Sequence, residues 1–428
     1  MIGRRRSLIE LALVVLAMTA ACGSEPQDEA TTITVMVSGD PEEIEAYRAV
    51  VEAFDRSQTG IDVGLLPFAD RDDLIVRLST SIAGGQPPDL FLMNYRYYGQ
   101  FAARDALEPV DPHLRTSEVL SADDFFQTSM TPFQWDGEQM CLPQNVSSLV
   151  VYYNADLFAD AGLPLPAEGW TWSDMVQSAE ALTHGDGGDG AAEVYGLGVD
   201  PEIIRLAPFI WSNGGTLIDD EADPTRFDFD ALAVTAMQRF LDLRSAHGVT
   251  PTDAEAESED LETRFLNGRL GMLMESRRVV PTLRTITSFR WDVAPVPILS
   301  EPTSVLHADA YCITEGSDAK GASWRFIEFA LGPEGQRITA EAGRTVPSLR
   351  SVADSDAFLA PGALPEHSEV FLDQIPRLRA VPVVSTWAEI EDVANGILEE
   401  AYYGGGEALE VAVELTLQTR DLFARAEG

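Results

Sequence analysis

The stretch MCLPQNVSSLVVYYN at residues 140–154 places a Pro-Gln-Asn loop directly before an apolar segment that ends Tyr-Tyr-Asn. Valine and tyrosine dominate residues 150–153, a composition typical of a buried strand. Gln144 and Asn145 put uncharged hydrogen-bonding side chains at the start of this segment, in a chain that is otherwise strongly acidic. The elements on either side of the stretch indicate what the loop connects.

On the N-terminal side, strand and helix patterns alternate. Residues 33–37 alternate as a half-buried strand, and a Ser-Gly-Asp turn follows. Asp40 can cap the next helix, Pro41 suits its first position, and Glu43 completes the spacing of a capping box. A second strand, helix and strand follow over residues 61–93. This alternation predicts an α/β sheet with parallel strands.

On the C-terminal side, the chain becomes richer in helix. Amphipathic patterns predict helices at 174–182 and 231–247, and two later segments, 291–296 and 310–314, regain strand character. The tail at 387–423 is helical by composition and is interrupted by three glycines. A chain of 428 residues also exceeds what one hydrophobic core usually supports, so two domains are expected.

The N-terminus has the pattern of an export signal. Three arginines at 4–6 precede an apolar run at 8–18, and Thr-Ala-Ala-Cys follows at 19–22. We therefore expect a signal peptide over residues 1–21, a lipidated Cys22, and a polar spacer that completes the segment 22–31. Thr19 stands where lipoproteins more often carry leucine, so secretion without lipid is the alternative. The arginines also fit a twin-arginine signal, and the export route stays open.

The charge of the chain is extreme. The net charge is −41, and removal of residues 1–21 leaves 26 basic and 69 acidic residues, or −43. Such a surface repels nucleic acid and anionic membranes, so we exclude nucleic acid as a partner. The excess of acid indicates either solubility alone or adaptation to salty surroundings, where counterions screen self-repulsion.

The motifs of common enzyme chemistry are absent from the sequence. Five histidines are scattered without metal-ligand spacing, and neither a glycine-rich phosphate loop nor a nucleophile elbow occurs. We therefore predict no catalysis, no metal site and no cofactor. Cys141 and Cys312 remain after export, and their spacing alone leaves open whether they form a disulfide or stay as two buried thiols.

A series of short motifs carries a resemblance to a known family. The motifs are GGQPPD at 84–89, LP at 142–143, YYNADLF at 152–158, GWTW at 169–172, FIWSNGG at 209–215, FLNG at 265–268, WDVAPVP at 291–297 and GRTVP at 343–347. In this order they resemble the extracellular solute-binding proteins that feed carbohydrate ABC importers, of the maltose-binding and glycerol-phosphate-binding type. The resemblance runs from about residue 33 to the C-terminus.

This resemblance implies an α/β, two-lobe periplasmic-binding-protein-like (type II) fold with discontinuous lobes and a hinge. The N-terminal lobe would comprise residues 32–143 plus 309–356, and the C-terminal lobe residues 144–308 plus 357–428. The chain would cross between lobes through 140–153 and return through 307–312. Both cysteines would then lie on adjacent strands near the hinge, which favours a disulfide between Cys141 and Cys312.

The resemblance also implies ligand contacts, because a carbohydrate cleft combines hydrogen-bonding side chains with aromatic faces. Asp309 would supply a side-chain acceptor where the family usually has Gly-Gly, and Trp387 matches a position that often stacks on sugar. The predicted contacts are Asp40, Tyr95, Asn145, Trp211, Arg277, Arg278, Asp309 and Trp387.

Several of these residues have a purely structural alternative. Helix capping explains Asp40 equally well, Trp211 could pack beneath the glycines that follow it, and either arginine could pair with a carboxylate.

The function that the resemblance implies is capture of a sugar or oligosaccharide between the lobes and its delivery to the transmembrane subunits of an ABC permease. The expected protein is a monomer that acts outside the cytoplasm and contacts the membrane only through its lipid anchor at Cys22. A sugar phosphate or polyol phosphate is an alternative ligand, because the guanidinium groups of Arg277 and Arg278 could bind a phosphate through two hydrogen bonds each. Two further functions stay open, those of a secreted glycan-active enzyme on a related scaffold and of a surface sensor.

Overall fold

The computed structural model describes residues 30–185 and 192–426. The predicted signal peptide and Cys22 lie outside the described residues. Within the described part of the chain, no helix has both the length and the apolar character needed to cross a membrane.

The strands form two main sheets and two smaller ones. In chain order they are β1 (Thr31–Ser38), β2 (Ile61–Phe68), β3 (Leu90–Asn94), β4 (Leu107–Glu108), β5 (Gln134–Trp135), β6 (Glu138–Gln139), β7 (Cys141–Pro143), β8 (Ser147–Ser148), β9 (Val150–Asn154), β10 (Tyr195–Gly198), β11 (Leu270–Glu275), β12 (Trp291–Pro295), β13 (Ser304–His307), β14 (Asp309–Thr314) and β15 (Leu378–Arg379).

Helices surround these sheets. In chain order they are α1 (Pro41–Ser57), α2 (Arg71–Ala83), α3 (Tyr95–Ala102), α4 (Asp111–Thr116), α5 (Gln127–Met130), α6 (Ala155–Asp160), α7 (Trp172–Leu182), α8 (Ile203–Ser212), α9 (Ala231–Ser245), α10 (Asp253–Ser258), α11 (Leu261–Leu266), α12 (Val280–Leu283), α13 (Lys320–Ala330), α14 (Pro333–Glu341), α15 (Arg350–Ala353), α16 (Asp356–Leu359), α17 (Glu369–Gln374), α18 (Trp387–Gly404) and α19 (Ala408–Ala426).

The first sheet has the order β2-β1-β3-β14-β4, and β7 also pairs with β14. β1 runs parallel to both β2 and β3, as the alternating pattern predicts, whereas β14 runs antiparallel to β3. The second sheet has the order β10-β11-β9-β12. Its central strand β9 is buried along its whole length, which explains the continuous run of Val and Tyr.

The first helix shows how the sequence fixes local structure. Asp40 caps α1 by accepting a hydrogen bond from the Glu43 backbone N–H at 3.0 Å, and Pro41 occupies the first turn. The predicted face is buried at Tyr47, Val50, Val51 and Phe54. The capping-box expectation for Glu43 is wrong, because its carboxylate contacts Tyr47 and Arg344 instead.

The two predicted crossings lie side by side. β7 pairs antiparallel with β14, and beyond it β8 pairs antiparallel with β13, so that Ser147 faces His307 across the ladder. The chain therefore leaves the first sheet at Pro143 and re-enters it at Asp309 along adjacent paths. The lobe boundaries themselves stay predictions.

Candidate ligand-binding cleft

A cavity of about 440 Å³ lies where the crossings meet the ends of β1 and β3. The turn after β1, the start of α2 and the end of β3 form one wall, and residues after β11 and around position 344 contribute the other. Ligand sites in open α/β sheets characteristically lie outside the carboxyl ends of the strands, as this one does. The lining includes Ser38, Asp40, Glu43, Tyr47, Asp70, Arg71, Asn94, Arg96, Asn145, Ser147, Ser276, Arg278, His307, Asp309, Arg344 and Thr345.

A hydrogen-bonded pair joins the two crossings at the cavity. Asn145 Nδ2 donates to Asp309 Oδ2 at 2.9 Å, and the Asp309 backbone N–H donates to Asn145 Oδ1 at 3.1 Å. Among the described residues, no basic side chain forms an ion pair with Asp309. Asn145 therefore holds the Asp309 carboxylate in place without a cationic partner, and this carboxylate can accept hydrogen bonds from a bound solute.

Three buried polar atoms at the cavity have no hydrogen-bond partner within the described chain: Ser147 Oγ, His307 Nε2 and Thr345 Oγ1. Burial, together with the nearby charge of Arg96, lowers the pKa of His307 to about 3, so the imidazole is neutral at physiological pH. Buried polar groups are normally hydrogen-bonded. These atoms therefore point to a polar ligand.

The arginines at the cavity are already paired with carboxylates. Arg344 pairs with Asp40 and, at 2.9 Å, with Glu43, while its Nη1 also donates to the Arg278 carbonyl at 3.0 Å. Arg278 pairs with Glu275 at 2.9 Å. Because Arg344 contacts both the β1–α1 turn and Arg278, in the short 3-10 turn after β11, it bridges the two walls of the cleft.

The other two lining arginines also contact carboxylates, although that of Arg71 is an exposed neighbour. Arg96 pairs with Glu391, and Arg71 lies 3.5 Å from Asp72. Burial raises the pKa of Glu43 to about 7 despite the opposing effects of Arg344 and of the Tyr47 hydroxyl, which donates to Glu43 at 2.5 Å. The wall therefore presents balanced ion pairs rather than a free cationic patch.

Comparison with known proteins identifies the family. The family model described as bacterial extracellular solute-binding protein matches residues 49–366. The chain belongs to this family.

Among relatives of this solute-binding protein, a binding protein of Brucella abortus is 24% identical over 84% of this chain and 85% of its own length. A maltooligosaccharide ABC transporter solute-binding lipoprotein of Streptococcus pneumoniae is 21% identical over 95% of both chains. An ABC substrate-binding protein from Listeria monocytogenes, solved in complex with cycloalternan, has a TM-score of 0.84 and 23% identity over 92% of this chain and 100% of its own. The likeness shows the predicted two-lobe fold.

Four of the eight predicted contacts line the cavity of this solute-binding protein: Asp40, Asn145, Arg278 and Asp309. Their contact with a ligand stays a prediction. The capping interpretation of Asp40 and the pairing interpretation of Arg278 also hold, so these two side chains have structural roles at the cleft.

The other four predicted contacts do not line the cavity. Trp387 has no exposed surface, lies between Phe227 and Phe423, and donates from Nε1 to Glu391 at 2.9 Å. An indole with no exposed face cannot stack on a sugar, so the prediction for Trp387 is wrong. The expected aromatic wall is absent from the described lining, where Tyr47 is the single Tyr, Phe or Trp residue and is 2% exposed.

Tyr95, Trp211 and Arg277 require the same correction. Tyr95 is fully buried in α3, and its hydroxyl donates to the Leu306 carbonyl at 3.2 Å. Trp211 is 5% exposed and has the Arg379 guanidinium 4.7 Å above its ring. Arg277 is fully buried. Each of the three side chains packs inside the protein instead of facing the cleft.

Sequence reasoning did not assign the unpartnered Ser147, His307 and Thr345 or the bridging Arg344 as site residues. A signal existed for two of them, because His307 opens the return crossing and Arg344 lies in the GRTVP motif.

The cysteines lie behind the cleft, on directly opposed positions of β7 and β14. The structure joins Cys141 and Cys312 in a disulfide, with 4.5 Å between their Cα atoms. The bond ties two strands of the first sheet together next to the crossings, so hinge residues beyond Pro143 stay free to change their dihedral angles.

Proposed function

We propose that this solute-binding protein captures a neutral sugar or oligosaccharide in the cleft and delivers it to the permease of an ABC importer. The observation that carries the proposal is the contrast within the cavity between unpartnered hydroxyl and imidazole groups and arginines that each already contact a carboxylate. Sugar hydroxyls both donate and accept, so they can satisfy Ser147, His307 and the Asp309 carboxylate together.

The same contrast argues against a phosphorylated ligand. A phosphate binds best to a guanidinium that can offer it two donors, and each lining arginine already pairs with a carboxylate. Asp309 would in addition repel an anion. The proposal also agrees with relatives named as binding maltooligosaccharide, maltotriose and mannitol.

We further propose that the protein acts as a monomer outside the cytoplasm and is anchored by lipid on Cys22. Membership in the extracellular solute-binding family and the lipoprotein name of the pneumococcal relative support this location. Delivery would require the lobes to part, which breaks the contacts of Arg344 across the cleft. Loss of sugar uptake in cells that lack this gene, with restoration by the intact gene but not by Cys22→Ala, would test both anchoring and delivery.

The binding proposal is tested by thermal unfolding of residues 23–428 against monosaccharides, oligosaccharides, polyols and sugar phosphates. A ligand at about one hundred times its Kd should add roughly 2.7 kcal/mol of stability. Asp309→Asn should weaken the selected sugar by about 10- to 100-fold in isothermal titration calorimetry, because a hydrogen bond to a charged acceptor is lost.

Asp318→Asn is the matched control, because it removes an exposed carboxylate that does not line the cavity. Binding that is equally strong in the two variants would contradict the proposed site. Stabilisation by sugar phosphates alone would contradict the neutral ligand.

A further inference from the structure

A second polar cluster lies around Arg277, which does not line the cleft although its chain neighbours Ser276 and Arg278 do. Arg277 begins a short 3-10 turn after β11 and has no exposed surface. Its guanidinium lies 4.3 Å from the centre of the Phe358 ring and 4.9 Å from that of Phe371. These rings stabilise the charge through cation–π contacts, but they provide no acceptor for its N–H groups.

All the unpartnered atoms of this region are hydrogen-bond donors. Nε, Nη1 and Nη2 of Arg277 have no partner among the described residues, and neither do Nη2 of Arg284 and Nε1 of Trp291. Within the same part of the chain, no carboxylate forms an ion pair with Arg277 or Arg284. The chain has far more carboxylates than basic side chains, so buried donors without an acceptor are unexpected in it.

The two arginines are electrostatic neighbours. Burial lowers the pKa of Arg277 to about 9, and the charge of Arg284 acts in the same direction. The Tyr152 hydroxyl already donates to the Ser276 carbonyl at 2.9 Å. It does not provide the negative charge with which a carboxylate would balance Arg277. A buried cation without a counter-charge is costly, and an anion is the group that would offset this cost.

We propose that Arg277 and Arg284 bind a small inorganic anion of the size and charge of chloride, at the N–H edge of the Arg277 guanidinium. A Cβ at Gly343 would lie 2.5 Å from Arg284 Nη1, so the Gly343 backbone runs close against this guanidinium. Arg277 has no exposed surface, so a monatomic anion suits the site better than a phosphate or sulfate. This anion is a structural component and not the transported solute.

The bound anion and general screening have separable effects on stability. Any sodium salt should stabilise a chain of net charge −41 by screening, whatever its anion. Chloride or bromide should add a saturable rise in Tm of about 1–4 °C over sodium gluconate at equal ionic strength, because it binds only the folded state. Thermal unfolding of residues 23–428 measures both effects in one titration.

Arg277→Met should abolish the difference between chloride and gluconate and keep the response to ionic strength. Arg290→Met is the matched control, because Arg290 is exposed and pairs with Asp156 at the surface, so its removal should leave the difference intact. A difference that persists in Arg277→Met, or its absence from the unmutated protein, would overturn the proposal.

Crystals of the unmutated protein refolded and grown in bromide provide a test that does not depend on a variant folding. We expect an anomalous peak beside the Arg277 guanidinium. Density explained by water, with no anomalous signal there, would also overturn the proposal.

Discussion

Arg205 and Arg277 are both buried next to the end of β11, but the protein accommodates them in opposite ways. Arg205, in α8, is 6% exposed and lies 2.6 Å from Glu275, the last residue of the strand. Arg277 follows two residues later, is fully buried, and has aromatic rings over its guanidinium instead of a carboxylate. Equal burial therefore does not imply an equal electrostatic environment.

The ionisation of neighbouring groups reflects this difference. Burial alone would raise the pKa of Glu275, but Arg205 and Arg278 hold it well below its usual range. Burial lowers the pKa of Arg277 instead. We infer that Arg205 is part of a mutually stabilised ion network, whereas Arg277 carries a cost that its aromatic neighbours only partly offset.

The largest effect is expected for Arg205→Met. This change removes one side of a buried ion pair and leaves Glu275 with Arg278 alone, so it should lower the free energy of unfolding by about 3–5 kcal/mol. Urea denaturation followed by circular dichroism measures the loss. Arg290→Met, at an exposed pair, is the control and should cost at most about 1 kcal/mol. Equal costs for both variants would mean that the Arg205 network does not stabilise the fold.

An intermediate effect is expected at Glu43. This carboxylate is partly buried and has one arginine partner, whereas Glu275 is buried and has two. The folded-state pKa of Glu43 is raised from 4.5 to about 7. Its contribution to stability is therefore fully present below pH 4.5 and is lost as the pH rises through 7, a change of about 1–3 kcal/mol.

Glu43→Gln should flatten this part of the pH profile. Denaturation of the ligand-free protein at pH 4.5, 6 and 7.5 provides the measurement. Glu42→Gln is the control, because Glu42 is the exposed neighbour on the same turn and should leave the profile unchanged. A variant profile as steep as that of the unmutated protein would assign the pH dependence to other groups.

Much of the fold could be predicted because its signals are local or belong to the family pattern. The β1–α1 unit follows from strand alternation, an Asp cap and a Pro at the first helical position. The junction at 140–154 carries the crossing because its polar loop separates β7 from β9, and the family resemblance identifies the partner strand.

The site was only partly predictable, and Trp387 shows why. Trp387 shares one buried face of α18 with Ala394 and Leu398, at spacings of seven and four residues, so helical periodicity already indicated packing. The prediction of sugar stacking instead followed the position of Trp387 in the family pattern. For Arg277 and Arg278 the sequence contains no such signal. Which of two adjacent arginines faces the cleft depends on the geometry of the turn after β11, which the sequence does not reveal.

The smallest effect is expected for Arg277→Met, measured by urea denaturation in sodium gluconate. No ion pair is broken there, and methionine keeps apolar contact with Phe358 and Phe371 while it removes an uncompensated charge. The free energy of unfolding should therefore change by less than about 1 kcal/mol, in contrast to the same substitution at Arg205. In chloride the cost should grow, because only the unmutated protein gains stability from the bound anion. A loss of about 3 kcal/mol already in gluconate would mean that Arg277 has a strong partner within the protein, and the contrast with Arg205 would then disappear.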